Sequence, residues 1–203
     1  MQPGGAFWRF EMSEHEPQLL IVTGRPAAGK STLSRRLSRD LGIPCVSKDS
    51  VREVLFSALG WKDREWARLL GRASINIMFH LAEAQLEAGC SLILDNSFDP
   101  SLSTLRFREL KTRYNAETIQ LVCDSDQETL FDRFRARAEA GNRHPGHGDN
   151  DVLGGLRAYL AREMSLAMDI GGSVIEIDTT DFSTMDYPAV LHAVRCAMRY
   201  TEA

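Results

Sequence analysis

Residues 19–32 read LLIVTGRPAAGKST, and this stretch decides the fold. An apolar run leads into a turn of the form GxxxxGK[ST] at 24–31, and a helical pattern follows it. Glycines let the chain turn tightly, and the amides of the turn and of the next helix start can surround an anion. The stretch therefore predicts a strand, a phosphate-binding loop and a helix, in that order.

Each residue of this loop is expected to take part in binding a nucleoside triphosphate, interpreted here as ATP with Mg²⁺. Lys30 is expected to reach the β- and γ-phosphate oxygens and to be catalytic as well. The Ser31 hydroxyl is expected to ligate Mg²⁺, and Thr32 is expected to contact a more distant phosphate. The remaining nucleotide-binding residues predicted here are Gly24, Arg25, Pro26, Ala27, Ala28 and Gly29.

The rest of the chain alternates short apolar runs with longer helical patterns. This alternation predicts an α/β fold with a doubly wound, five-stranded parallel sheet and helices on both faces. Asp49, Ser101 and Asp126 are expected to cap the helices that they begin. The expected strands are 19–23, 44–47, 91–94, 118–123 and 173–177, and the expected helices are 30–41, 49–59, 64–88, 101–113, 126–140, 150–169 and 186–200.

The expected domain organisation is a flexible tail at 1–16 and one domain at 17–203. The glycine-rich segment 141–149 is expected to be a mobile loop within a small helical lid at about 126–160.

The charge balance limits the classes of partner. The 203 residues include 24 Lys and Arg against 28 Asp and Glu, a net charge of −4, which argues against coating of long nucleic acid. No apolar run approaches the roughly 20 residues that span a bilayer, so no membrane partner is expected. Four cysteines form no CxxC pair, which fits a cytoplasmic protein. The sequence leaves the oligomeric state open.

Two acidic residues follow predicted strands. Asp95 ends the strand LILD, a position from which a carboxylate can hold Mg²⁺ and lie beside the substrate. Asp49 and Arg52 are three residues apart at a helix start, so they share a face. Asp49 is a candidate catalytic base and Arg52 a candidate ligand of the acceptor substrate. Two structural alternatives stay open: a helix cap or turn former for Asp95, and a helix cap with an intrahelical ion pair for Asp49 and Arg52.

Arginines are concentrated around the glycine-rich segment. Arg133 and Arg137 are four apart and share a helix face, and Arg143 lies in the loop beyond them. Arginines over a transferring phosphoryl group stabilise its charge, although a solvated basic face is the alternative. His144 and His147 have no evident third ligand, so loop structure or substrate contact is preferred to a metal site.

Taken together, GRPAAGKST at 24–32, KDSVR at 48–52, LILDNSF at 92–98 and the segment 121–147 resemble the group of small P-loop kinases. This group includes polynucleotide 5′-kinases, gluconate-type kinases, zeta-toxin-like kinases and chloramphenicol phosphotransferases. The resemblance covers about residues 18–180 and implies a P-loop NTPase fold. Its RHPGH stretch, 143–147, is most similar to an uncharacterised ATP-binding subgroup, so the resemblance does not identify the acceptor.

The resemblance also implies roles for individual residues. It implies that Asp49 is the base, that Arg52 binds a phosphate of the acceptor, and that Arg133 and Arg137 contact the nucleotide phosphates. Arg137 is accordingly expected to be catalytic. Arg143 is expected to contact the substrate because of its place in the arginine-rich segment, not because of the resemblance.

The function expected from these observations is ATP-dependent phosphoryl transfer to a hydroxyl of a small molecule or of a nucleic-acid 5′ end. A nucleotide-dependent switch or ATPase is the first alternative, although no NKxD guanine motif occurs and the residues after Asp95 do not form DxxG. A non-catalytic ATP-binding protein is the second.

Overall fold

A five-stranded parallel sheet lies at the centre of the computed structural model, which describes residues 16–141, 143–162 and 164–198. Its order is β2-β3-β1-β4-β5, so all the carboxyl ends lie along one edge. The loops after β1, β2 and β3 meet at that edge, where ligands bind in folds of this type. The strands are β1 (Gln18–Gly24), β2 (Cys45–Ser47), β3 (Leu92–Asp95), β4 (Glu117–Asp124) and β5 (Ser173–Asp178).

The helices connect these strands and cover both faces of the sheet, which confirms the doubly wound α/β fold expected from the sequence. A short 3₁₀ turn, Pro145–His147, separates the fifth helix from the sixth. The segment predicted as a lid, 126–160, contains both of these helices and the turn, and is called the lid segment below. The helices are α1 (Lys30–Leu41), α2 (Lys48–Leu59), α3 (Arg64–Glu87), α4 (Pro100–Tyr114), α5 (Gln127–Ala140), α6 (Asp149–Leu160) and α7 (Tyr187–Ala197).

Strand β1 separates two hydrophobic cores. Leu19 and Ile21 belong to the core that contains side chains of α3 and α4, whereas Leu20 and Val22 belong to the core that contains side chains of α1, α5 and α7. All four side chains are 0% exposed. Successive side chains on a strand point to opposite faces, so a strand covered on both sides is apolar throughout.

The helix expected at 150–169 ends at Leu160, and this part of the sequence prediction is wrong. Leu156 and Leu160 are buried in the core beside α5, whereas Met168 and Ile170 are buried in the core on the opposite face of the sheet. One straight helix cannot reach both faces. The chain leaves the helix instead and runs beside β4, where the amide of Gln120 donates to the Met168 carbonyl and accepts from the Met168 N–H.

The predicted cap of α5 is confirmed, because the Asp126 carboxylate accepts a hydrogen bond from the N–H of Thr129. The cap predicted for α2 is wrong by two residues. Ser47 occupies the cap position and Asp49 lies inside the first helical turn. The helix starts directly at the end of β2, with no linking residue, because Ser47 itself is still extended.

The cap predicted at Ser101 is also wrong. Asp99 occupies that position, and its carboxylate accepts from the N–H of Ser101. Proline suits the first position of a helix because it has no N–H to leave unsatisfied. Pro100 therefore starts α4 and places the residue before it at the cap.

The expected tail at 1–16 falls, apart from Glu16, outside the described residues. None of the helices in the described ranges combines the length and the apolar character needed to cross a membrane.

Candidate active site

The loop from Gly24 to Gly29 has a backbone shape that its glycines make possible. Gly24 has a φ of 144°, and a Cβ at this residue would lie 1.9 Å from the carbonyl oxygen of Cys123. Gly29 has a φ of 74° and Ala27 a φ of 64°, a region that residues other than glycine rarely adopt. The strained turn leads directly into α1, whose first N–H groups have no intrahelical partners and are available to an anion.

Lys30 is held inside this loop. Its Nζ donates to the carbonyl oxygen of Arg25 at 2.7 Å, and the residue is only 9% exposed. Burial lowers the pKa of the Lys30 ammonium, and the nearby carboxylate of Asp95 opposes that effect. A phosphate at this position would supply the negative charge that a buried ammonium lacks.

Ser31 and Asp95 meet at the carboxyl ends of β1 and β3. The Ser31 hydroxyl donates to Oδ2 of Asp95 at 2.6 Å, and Asp95 is 2% exposed. Burial raises the pKa of the Asp95 carboxyl, while the hydrogen bond from Ser31 opposes the rise. Two oxygen donors beside a phosphate-binding loop suit Mg²⁺, which prefers a few protein oxygens together with phosphate oxygens.

Asp49 faces the same cleft from the first turn of α2. Its carboxylate accepts a hydrogen bond from Arg143, a residue 94 positions away in the sequence. The spacing of three residues on α2 allowed an ion pair between Arg52 and Asp49, but Arg52 has other partners. Arg52 instead donates to the carbonyl oxygens of Ala67 at 2.8 Å and Gly146 at 3.1 Å.

The three arginines of the lid segment that the sequence singled out, Arg133, Arg137 and Arg143, fall into two groups. Nε of Arg137 lies 3.2 Å from Asp149, and Arg143 donates to the same carboxylate at 3.0 Å. Arg133 turns away from this network and donates to the carbonyl oxygens of Thr179 and Thr180, each at 2.8 Å. Arg133 therefore anchors the loop after β5 while it still lines the cleft.

His147 connects the lid segment to α2. Its side chain is 2% exposed, with Nδ1 2.8 Å from Arg143 and Nε2 3.2 Å from Glu53. Because the guanidinium can only donate, Nδ1 accepts and the proton resides on Nε2. Burial, together with the charge of Arg143, lowers the pKa of His147, which favours this neutral form.

These groups line one cleft of about 520 Å³ at the carboxyl edge of the sheet. Three residues that were predicted to bind nucleotide do not line this cleft, although they belong to the phosphate-binding loop: Gly24, Arg25 and Ala28. The predicted residues that do line it are Pro26, Ala27, Gly29, Lys30, Ser31, Thr32, Asp49, Arg52, Asp95, Arg133, Arg137 and Arg143.

Sequence reasoning missed several residues of the cleft. Three of them are Lys48, directly after β2, Asn96, directly after β3, and Asp149, the first residue of α6. Only these positions in the chain could have indicated that the three residues line the cleft. Phe182 packs on the loop so closely that a Cβ on Gly29 would lie 1.9 Å from its ring. No local pattern marks Phe182, because it comes from the loop after β5.

Comparison with known proteins agrees with this geometry. A family model described as an AAA domain matches residues 19–162, most of the chain and all of the phosphate-binding loop. The chain belongs to this AAA domain family. The match extends from β1 to the end of α6 and so includes both the loop at 24–31 and the lid segment.

Solved structures with this fold include kinases. A candidate kinase from Chloroflexus aurantiacus J-10-fl is 36% identical, with a TM-score of 0.81, and the match covers 90% of this chain and 99% of that one. A gluconokinase from Sinorhizobium meliloti 1021 has a TM-score of 0.50 at 13% identity, over 91% and 93% of the two chains. A sugar kinase from Janibacter sp. HTCC2649 has a TM-score of 0.52 at 12% identity, over 90% and 95%. The last two show the fold alone.

Curated relatives are longer proteins. Uncharacterized proteins from Mycobacterium bovis and Mycobacterium tuberculosis are 28% identical over 155 residues, which are 71% of this chain and 29% of theirs. The chain thus spans less than a third of the length of these relatives. The family and the fold together identify this AAA-family chain as a P-loop, nucleotide-binding domain of kinase type.

Proposed function

We propose that this chain is an ATP-dependent kinase that transfers the γ-phosphate of ATP to a hydroxyl group of a small molecule or of a nucleic-acid 5′ end. One observation carries the proposal: Lys30 and Ser31 of the phosphate-binding loop and the carboxylate of Asp49 line the same cleft of about 520 Å³. A hydroxyl bound between them has a phosphoryl group on one side and a base on the other.

The proposed transfer uses Asp49 as the base. The acceptor oxygen attacks the γ-phosphorus, the bond from that phosphorus to the β,γ-bridging oxygen breaks, and ADP leaves. Asp49 takes the proton from the acceptor hydroxyl as the new P–O bond forms. The carboxylate is 50% exposed and accepts a hydrogen bond from Arg143, so it is fixed in position and remains open to a bound hydroxyl.

Cationic side chains stabilise the transferring group in this proposal. Lys30 neutralises charge on the β- and γ-phosphates, and Arg137 and Arg143 lie across the cleft on the lid segment. An arginine over the transition state is worth about 10³–10⁵-fold in rate in well-characterised phosphoryl transfer enzymes. Mg²⁺, held by Ser31 with Asp95 beside it, would supply further neutralisation of the phosphate oxygens.

Two observations favour a small acceptor over a nucleic-acid end. The net charge of −4 provides no extended basic track for a polynucleotide. The gluconokinase and sugar kinase that share the fold act, by their names, on small molecules. We therefore rank small metabolites first and 5′-hydroxyl oligonucleotides second.

The test is transfer of radiolabelled γ-phosphate to sugars, sugar acids, nucleosides, antibiotics and 5′-hydroxyl oligonucleotides. The expected result is labelling of one acceptor class by the wild-type protein, and none by Lys30→Ala, in which calorimetry should also show weakened binding of Mg-ATP. Lys62→Ala removes an exposed lysine outside the cleft and serves as the matched control. Sound ATP binding with no labelled acceptor, or with hydrolysis alone, would count against kinase activity.

A further inference from the structure

A smaller recess of about 230 Å³ adjoins the cleft. The two share the lining residues Arg52, His147 and Val152, so the recess lies directly beside the place proposed for the transfer. The other walls of the recess come from Trp61 and the start of α3, from the 3₁₀ turn, and from the start of α6. Nothing in the proposed transfer uses these walls.

The recess is predominantly cationic. Arg64 and Arg68 line it from successive turns of α3, and within the described ranges neither has a carboxylate within 4.0 Å. Arg52 adds a third guanidinium, whose Nε is buried with no hydrogen-bond partner among the described residues. Asp151 contributes one carboxylate to the lining against these three guanidinium groups. Because that Nε is closed off from solvent, the guanidinium groups open to an incoming anion are those of Arg64 and Arg68, which are both exposed.

Trp61 forms a flat apolar wall of the same recess. Its side chain packs on the 3₁₀ turn, where a Cβ on Gly146 would lie 2.5 Å from its ring. The residue nevertheless remains 48% exposed. A large aromatic surface left open beside arginines suits a ligand that combines a planar or sugar portion with an anionic group.

We propose that this recess is a specificity site for an oxyanion, a phosphate or a carboxylate, that the phosphoryl acceptor carries away from its reacting hydroxyl. Arg64 and Arg68 bind the oxyanion, and Trp61 packs against the adjoining part of the molecule. The inference rests on the proposed function, since it assigns the anion to the acceptor. It limits that acceptor to anionic compounds, and uncharged sugars or nucleosides become poor substrates.

Binding is tested first, without turnover. With the phosphate-binding loop saturated by Mg²⁺ and a non-hydrolysable ATP analogue, inorganic phosphate and acetate are titrated while the indole N–H signal of Trp61 is followed by NMR. Trp61→Phe identifies that signal. We expect a saturable shift in the wild-type protein and at least about tenfold weaker binding in the Arg64→Ala/Arg68→Ala variant. The anion that binds more tightly distinguishes phosphate from carboxylate.

Arg72→Ala is the matched control, because Arg72 lies one turn further along α3, is exposed, and does not line the recess. Its titration should equal that of the wild-type protein. No shift with either anion, or equal weakening in Arg72→Ala, would overturn the inference and leave the proposed kinase activity standing.

Turnover gives the second arm. Adenosine is compared with adenosine 3′-monophosphate, and glucose with gluconate. In the double variant the KM of the anionic member should rise at least about tenfold, with kcat and the KM for ATP unchanged. An equal rise for the uncharged member would contradict the assignment to an oxyanion. Anion binding beside Trp61 without transfer to any acceptor would contradict the proposed function, and with it the assignment of the anion to an acceptor, while the recess would remain an anion-binding site.

Discussion

Asp49 shows how strongly single residues of this cleft depend on distant partners. Its carboxylate is fixed by Arg143 from the lid segment, and His147 lies 3.8 Å away on the same side. The carboxylate held in this way is half exposed, so a bound hydroxyl can reach it. The proposed base is therefore positioned by the lid segment as well as by α2.

The substitution Asp49→Asn removes the basic oxygen while keeping the size of the side chain. We expect normal binding of Mg-ATP by calorimetry and a kcat reduced by at least about 10²-fold, because the acceptor proton has no base to receive it. Glu53→Gln is the matched control: it is one turn later on α2, equally exposed, and retains an oxygen for His147. Normal turnover by Asp49→Asn would show that another group accepts the proton.

For single residues, the sequence predicts the roles that depend on neighbouring positions in the chain. The loop 24–31 is recognisable because its glycines, Lys30 and Ser31 act through neighbouring backbone. The pairing of Arg143 with Asp49 and of Arg52 with Gly146 joins residues 94 positions apart. No spacing rule predicts such pairs, because they depend on how α2 packs against the lid segment.

Helix α2 is the element that joins the phosphate-binding part of the cleft to the lid segment. Arg52, Glu53 and Phe56 lie on one face and all contact the 3₁₀ turn or its neighbours. Phe56 stacks on His144, with ring centroids 4.5 Å apart, and meets His147 edge-on at 5.7 Å. The packing of the 3₁₀ turn against α2 thus depends on the neutral, buried imidazole of His147.

The docking of this turn should weaken in acid. Burial holds the pKa of His147 below the ordinary value of about 6.5 that it has in the unfolded chain. Below about pH 6.5 the unfolded state therefore binds a proton that the folded state does not, and the stability of the fold decreases as pH falls. Urea denaturation between pH 8 and 5.5 should show this loss.

The loss should be smaller in His147→Gln, which cannot titrate. His80→Gln is the control, because the side chain of His80 is 81% exposed and its Nδ1 lies 4.0 Å from the carboxylate of Glu83. If His147→Gln followed the same pH dependence as the wild-type protein, His147 would not be the group responsible.

The whole molecule is organised around β1, which supplies side chains to both cores and leads directly into the phosphate-binding loop. The alternation of patterns along the sequence was enough to predict the sheet and its helices. It was not enough for residues 161–170, where the chain changes from one core to the other. Leu160 and Met168 are buried on opposite faces of the sheet, and the apolar pattern of the sequence does not distinguish one face from the other.

Truncation within β1 should destabilise the entire chain. Leu20→Ala removes a side chain that is 0% exposed, and core truncations of this type cost about 2–5 kcal/mol of unfolding free energy. Val174→Ala is the control on the edge strand β5, where the side chain is 46% exposed, and it should change stability by about 0.5 kcal/mol or less. Urea unfolding monitored by circular dichroism measures both. Equal losses would mean that β1 is not the centre of the fold.

The pairing of the lid arginines also bears on how this cleft would respond to salt. Arg137 and Arg143 are already neutralised by Asp149, and Arg143 by Asp49 as well. A phosphate group entering between them exchanges one set of anionic oxygens for another, and few dissolved counter-ions leave the surface. Affinity for such a ligand should therefore vary less with ionic strength than the number of cationic side chains suggests.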